Sequence, residues 1–178
     1  MSQETGAHAL PASPSPPESP EIPLAEVESP WPEPIPTRVG GLLYLVNVIL
    51  RLNLHTEEIT PWSLLEALGY ALLRGDLKDD PLWGVLADLA GRDPQEPLPE
   101  LPHGMAEQVQ DWLRAALPGV AEPERYLLLV DGHLYVTATH LDLVMDLDRI
   151  RLEVRLAGLD ADPGWAPDFG RVIRFHFV

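Results

Sequence analysis

The apolar pattern of this chain changes period once. From Leu42 to Leu117 apolar residues recur at helical spacing, and from Tyr126 to Val178 they alternate as strands do. Helical runs followed by strand runs point to α+β rather than to alternating βαβ units. The pattern predicts about four N-terminal helices packed on a C-terminal antiparallel sheet of about four strands. The folded domain is expected over residues 38–178, helical over 40–118 and β over 125–178.

The helices carry their own punctuation. Leu42 to Leu54 is apolar almost all the way round, as in a helix buried on every side. Its Asn47, Arg51 and Asn53, together with its short length, exclude a membrane span. Thr60-Pro61 and Asp80-Pro81 each pair an N-cap residue with proline at the first helical position. Gly75 and Gly91 supply the stops. A fourth helix is expected from Met105 to Leu117, before Pro118-Gly119. Trp62, Trp83 and Trp112 fall on three different helices and are read as core, in preference to an aromatic ligand cage.

Upstream of the domain the composition is different. Residues 1–37 hold ten of the 20 prolines and no Lys or Arg. Such a segment cannot bury enough apolar surface to offset its chain entropy, so a disordered, acidic, Pro-rich tail is expected. It is read as a linker; Pro14, Pro16 and Pro17 would seed a PxxP contact if it were a ligand. MSQETGAHAL lacks a basic region followed by an apolar core and is not read as a signal peptide. The whole chain carries 12 Lys+Arg against 28 Asp+Glu, a formal charge of −16. That argues against nucleic-acid partners and anionic membrane surfaces. The absence of cysteine excludes disulfides and thiolate metal sites.

In the β region, Asp131-Gly132 between two apolar runs signals a hairpin of Tyr126–Val130 with Leu134–Ala138. The parity then conflicts. Leu134, Val136 and Ala138 share one face, whereas Leu141, Leu143 and Met145 share the other; a bulge or bend near Thr139-His140 would reconcile them, as would burial on both faces with a partner for Asp142. Arg149 to Leu156 alternates as a strand, with Ile150, Leu152, Val154 and Leu156 inward. Paired with the preceding strand, it would set His140 opposite Arg155 and Asp142 opposite Glu153. Arg171 to Val178 is the last strand, with Ile173, Phe175 and Phe177 on one face and Arg174 and His176 on the other.

Three of the six histidines lie in this region. His140-x-Asp142 sets an imidazole and a carboxylate on one strand face. With His176, or with Asp160 and Asp162, it would form a metal site or orient a general base. The same composition makes an ordinary polar sheet face, and that is the preferred reading, with no cofactor expected. The chain has no G-x-S-x-G elbow, P-loop, H-E-x-x-H or EF-hand spacing. In the loop Leu159 to Pro167, Pro163-Gly164 signals a type II turn that delivers Trp165 onto neighbouring structure. Trp165 would plug the open end of the sheet, with the aspartates bonding the turn. The competing reading is a binding loop of Asp160, Asp162, Trp165 and Arg171.

Several stretches together resemble a family: V-T-A-T-H-L-D-L-V (Val136 to Val144), R-L-A-G-L-D-A-D-P-G-W-A-P (Arg155 to Pro167) and G-R-V-I-R-F-H-F (Gly170 to Phe177). G-G-L-L-Y-L-V-N-V-I-L (Gly40 to Leu50) and D-P-L-W (Asp80 to Trp83) extend the likeness. The pattern is similar to that of largely uncharacterised bacterial proteins from gene clusters for extracellular contractile injection systems, the phage-tail-like machines. One departure is Ala161, where the pattern has a basic residue. The resemblance lends no catalytic residues. It implies a non-enzymatic structural, assembly or accessory protein with injection-system proteins as partners, in the bacterial cytoplasm. The alternatives are a metal-binding or hydrolytic domain using His140, Asp142 and His176, and a small-ligand-binding domain.

Overall fold

The computed structural model describes residues 32–178. Most of the expected Pro-rich tail, residues 1–31, lies outside the described residues. The described chain is α+β, with six α-helices and one five-stranded sheet.

The strands are β1 (Ile35–Thr37), β2 (Gly132–Val136), β3 (His140–Met145), β4 (Gly164–Ala166) and β5 (Arg171–Phe177), in the spatial order β1-β2-β3-β5-β4. β1 to β3 form antiparallel neighbours, β4 is antiparallel to β5, and β3 is parallel to β5. The sheet is therefore mixed, where an antiparallel one is expected from the sequence.

Residues 35–37, assigned to the tail by composition, are a strand instead. β1 is an edge strand, where a proline such as Pro36, which has no N–H to give to a ladder, is tolerated. Thr37 and Arg38 fasten it. Thr37 Oγ1 donates to Asp80 Oδ1 at 2.7 Å and the Arg38 amide donates to Asp80 Oδ2 at 2.8 Å. Asp80 Oδ1 also accepts from the Leu82 amide at 3.0 Å, so one buried carboxylate joins a helix N-terminus to the first strand.

The helical punctuation works as the sequence implies. A 3₁₀ turn over Gly40–Tyr44 runs into α1 (Leu45–Leu52), and every residue from Gly40 to Val46 is buried. α2 (Pro61–Leu73) starts at Thr60, whose side chain accepts from the Ser63 amide, and α3 (Pro81–Ala90) starts at Asp80 and stops at Gly91. α4 covers Met105–Ala116. Trp62 and Trp83 are buried core, each with its indole N–H donated to a backbone carbonyl, of Phe169 and Leu77 respectively. Trp112 packs partly buried against the same core.

Within α3, Gly84 is different from the other interior positions. A methyl group built there meets nothing within 4 Å. Gly84→Ala is expected to raise stability by about 0.5–1 kcal/mol, since it removes only the entropic cost of a helical glycine. The check is the shift in the urea midpoint.

Two of the expected strands are helices. The apolar run Tyr126 to Val130 is strand-like in sequence, but α5 covers Pro123–Leu128, with Pro123 in its first turn. Its consecutive buried residues, Leu127 and Leu128, fit a short helix as well as a strand, and periodicity cannot separate the two in a short run. The hairpin expected at Asp131-Gly132 accordingly does not form there.

Arg149–Leu156 also departs from its expected strand. A 3₁₀ turn over Leu147–Arg149 leads to α6 (Leu152–Leu156), in which Val154 alone is buried while Leu152 and Leu156 are 64% and 78% exposed. Two polar residues of the otherwise apolar α1 hold this segment. Asn47 Nδ2 donates to the Leu159 and Ala161 carbonyls, both at 2.8 Å. Arg51 donates to the Ala157 and Gly158 carbonyls, both at 2.7 Å. Those carbonyls sit at and beyond the C-terminus of α6, where helical carbonyls lack partners. Held in this way, the chain leaves the sheet after β3 and returns as β5 beside it. A crossover of this kind is what parallel neighbours require.

The parity conflict resolves through the bend at Ala138–Thr139, without a bulge. Thr137, Ala138 and Thr139 form the turn of a β2–β3 hairpin, so Val136 pairs with Leu141 and Leu134 with Leu143 on one face. The Thr137 hydroxyl accepts from the His140 amide at 3.0 Å and the Thr139 amide at 3.3 Å. Arg171 donates to the Thr137 carbonyl from β5. The core face of the sheet, with Leu134, Leu141, Leu143, Met145, Ile173 and Phe175, packs into one cluster with the buried residues of the helices.

Candidate functional site

Side chains alternate across a strand, and residues directly paired between strands share a face. Once Leu141, Leu143 and Met145 are fixed inward, His140, Asp142 and Val144 must point to the opposite face. The register then fills that face in rows. Trp165, Val172 and His140 form one row, Arg174, Asp142 and Tyr135 the next, and His176, Val144, His133 and Pro36 the third. The apolar members of these rows, Trp165, Val172 and Val144, neither belong to the hydrophobic core cluster nor pack against it. Among the described residues no helix lines the groove on this face.

Its centre is a shallow groove of about 460 Å³, lined by Tyr135, Thr137, His140, Asp142, Val144, Arg174, His176 and Val178. Asp142 lies at the floor and is 8% exposed. It contacts His176 Nε2 through Oδ1 at 2.7 Å. Arg174, directly opposite Asp142 in the parallel register, forms no ion pair among the described residues. Two large apolar groups are exposed on this face, Val178 in the groove's lining at 68% and Trp165 on the edge strand at 60%.

The residues singled out from sequence divide between this face and the scaffold. His140, Asp142 and His176 do share the face. His140 is opposite Val172, not Arg155, and Asp142 is opposite Tyr135 and Arg174, not Glu153. The expected register fails because α6 takes the place of the partner strand. The His140 ring engages the Thr139 hydroxyl through Nδ1 at 2.8 Å, apart from the Asp142–His176 pair. Among the described residues no three His, Cys, Asp or Glu side chains gather in a metal-holding group. The Asp142–His176 pair can hold one imidazole tautomer by donation from Nε2, leaving Nδ1 as an acceptor.

The loop residues are mostly scaffold. Asp160 pairs with Arg155 at 2.8 Å and Asp162 Oδ1 accepts the Phe175 amide at 2.6 Å, so both carboxylates hold the crossover to itself and to β5. Arg171 is used by the Thr137 carbonyl. Gly164 takes φ +67°, as the expected Pro-Gly turn requires, and then opens β4. Trp165 does not plug the sheet. β4 turns it outward onto the open face, because its paired neighbour Val172 lies on that side.

Sequence reasoning sets Arg174 with His176 but misses Tyr135, His133 and Val178 as members of this surface. Their signal is parity: each lies out of phase with the apolar set of its own strand. Comparison of the chain with family models, with curated proteins and with solved structures gives no match.

Proposed function

We propose that this chain is a non-enzymatic interaction module that docks onto a protein partner through the open face of its sheet. The observation that carries the reading is Trp165, a tryptophan 60% exposed on the same sheet face as the groove, on the strand next to the one that bears Arg174 and His176 of its lining. A large aromatic next to a concavity is the usual anchor of a protein interface. Asp160, Asp162 and Arg171, engaged inside the scaffold, fix the loop and strand that present it.

The partner in this reading is another component of a bacterial contractile injection particle. Its support is the resemblance of Gly40 to Leu50, Val136 to Val144, Arg155 to Pro167 and Gly170 to Phe177 to proteins of such clusters. The particle would assemble in the cytoplasm, with the Pro-rich, acidic N-terminal residues acting as a tether.

The test is co-purification from a strain carrying the tagged full-length chain. Sheath, tube, baseplate or cargo proteins are expected with it. Trp165→Ala is expected to lose them while keeping the melting temperature within about 2 °C, because an exposed side chain contributes little to stability. A tagged chain that never associates with any of these components sinks the proposal. Full association of the Trp165→Ala protein removes the open face from it.

A further inference from the structure

The open face continues one row past the last paired residues of β3 and β5. The Val178 amide donates to the Met145 carbonyl and the Leu147 amide to the Val178 carbonyl, both at 3.0 Å, which sets Val178 opposite Asp146. Three successive rows on these strands are therefore Arg174–Asp142, His176–Val144 and Val178–Asp146. Arg174 and Asp146 are both exposed, and neither forms an ion pair among the described residues. The other carboxylates on and around these rows are engaged. Asp142 Oδ1 contacts His176 Nε2 at 2.7 Å, and Asp131 and Asp148 each lie 3.4 Å from Arg149. Among the described residues the face thus offers one unengaged cation and one unengaged anion, a row to either side of His176–Val144.

Opposite charges placed evenly about a central row are complementary to their own copy. A two-fold axis lying across the strands above that row turns the face onto itself and reverses the order of the rows. The Arg174 row of each copy then lies on the Val178–Asp146 row of the other. Arg174 and Asp146 occupy adjacent strands, a lateral offset of about 5 Å that an arginine side chain spans. Asp142 faces the same carboxylate from the floor of the groove, with Arg174 between the two. The ion pair forms twice, the middle row sets Val144 near its own symmetry mate, and the exposed Trp165 and Val178 add apolar area. Stacked sheets with roughly aligned strands pack in this way. The rest of the molecule restricts the choice, since two chains of formal charge −16 repel. A face whose unengaged charges cancel is where they can approach.

We infer that the open face, in the protein free of other partners, is covered by the open face of a second copy. The inference takes this face from the docking role proposed above but does not need its injection-system partner. The face holds one occupant at a time, so the partner displaces the second copy.

Sedimentation equilibrium of the purified full-length protein is the test, carried to about 200 μM because one sheet face is a small interface. A dimer is expected, weakening about tenfold between about 50 and about 500 mM salt, since exposed ion pairs are screened. A chain that stays monomeric, or a dimer indifferent to salt, overturns the inference. Arg174→Asp sets carboxylate against carboxylate at both contacts, and Asp146→Arg sets guanidinium against guanidinium. Each variant alone is expected to pair with itself about tenfold more weakly than the parent, or worse. An equimolar mixture of the two is expected to restore the dimer, because both contacts of the mixed pair join opposite charges. A variant that pairs with itself as tightly as the parent overturns the inference. So does a mixture no tighter than its components when both keep the parent's melting temperature. Where a variant does not fold, the salt dependence of the parent decides alone.

Co-purification separates this inference from the docking role. A monomeric chain that brings down particle components through Trp165 keeps the docking role and removes the second copy. A dimer broken by charge reversal, in a chain that brings down no component, keeps the second copy and removes the docking role.

Discussion

Arg92→Ala is expected to cost about 3–5 kcal/mol of stability, the range for removing one partner of a buried ion pair. Arg92 follows Gly91, the stop of α3, and reaches back to α2, where its guanidinium donates to Glu66 Oε1 at 2.6 Å. It also donates to the Asp93 and Glu96 carbonyls at 2.9 and 2.6 Å. Glu66 is 3% exposed, and its Oε2 has no hydrogen bond among the described residues. Alanine at 92 leaves that carboxylate buried without its cation.

The pH dependence gives the prediction its sign. Burial raises the Glu66 carboxyl above its ordinary value of 4.5, and the hydrogen bond and charge of Arg92 pull it part of the way back. A carboxyl whose folded-state pKa is raised holds its proton more tightly in the folded chain. Its contribution is most favourable below the unfolded pKa and is lost as pH rises through the folded one. Removing Arg92 removes the opposing pull, so the raised value climbs further. The deficit of Arg92→Ala relative to the parent should therefore be larger at pH 8 than at pH 5. Glu66→Gln in the Arg92→Ala background should recover part of the loss at pH 8 and little of it at pH 5. Urea unfolding at the two pH values measures both quantities. A deficit independent of pH would show that the carboxylate finds solvent when Arg92 is gone.

The helical half was legible because its boundaries are local. Thr60-Pro61, Asp80-Pro81 and Gly91 act through bonds within a few residues of themselves, so cap, proline and stop can be read in place. The β half depends on contacts the chain makes far from itself. Nothing within Arg149 to Leu156 says that Asn47 and Arg51, about a hundred positions earlier, will hold its C-terminal carbonyls and leave a short helix in place of a strand. The parallel pairing of β3 with β5 is a consequence of that displacement. It was invisible for the same reason.

The polar face was half legible. Period two alone sets His140 with Asp142, and Arg174 with His176. Only the β3–β5 register makes the two sets one surface and brings His176 to Asp142. Trp165 shows the opposite limit. The Pro-Gly turn before it was readable, but the direction of the ring depends on β4 pairing at the far edge of the sheet. β1 was hidden by composition, since three residues with a central proline carry no strand signal until Asp80 supplies their anchor.

Gly41→Ala is expected to cost about 3 kcal/mol or more, through a close approach that composition could not reveal. Gly41 does not have the left-handed φ that favours glycine, so alanine meets no backbone strain of its own. The obstacle is outside. A Cβ at this position would run into the Leu127 carbonyl oxygen and lie 3.0 Å from Val130 Cγ2. That carbonyl belongs to α5, and the chain just after the helix is fixed by the Gly40 amide, which donates to the Val130 carbonyl at 2.8 Å. Relief requires the 3₁₀ turn and α5 to separate, and both are buried in one core. Overpacking costs of about 1–3 kcal/mol describe cases where side chains can give way, and here the blocking atom is backbone. Gly40→Ala is the control. Its Cβ would meet Leu143 Cδ1 and the Val130 carbonyl at 3.0 Å, contacts that a rotamer change and a small shift can relieve. Gly41→Ala should therefore unfold at clearly lower urea than Gly40→Ala, or give soluble protein only where Gly40→Ala does so in quantity. Equal midpoints for the two would mean that the turn and α5 are not in close approach, and the junction between the first helical segment and the sheet would need another account.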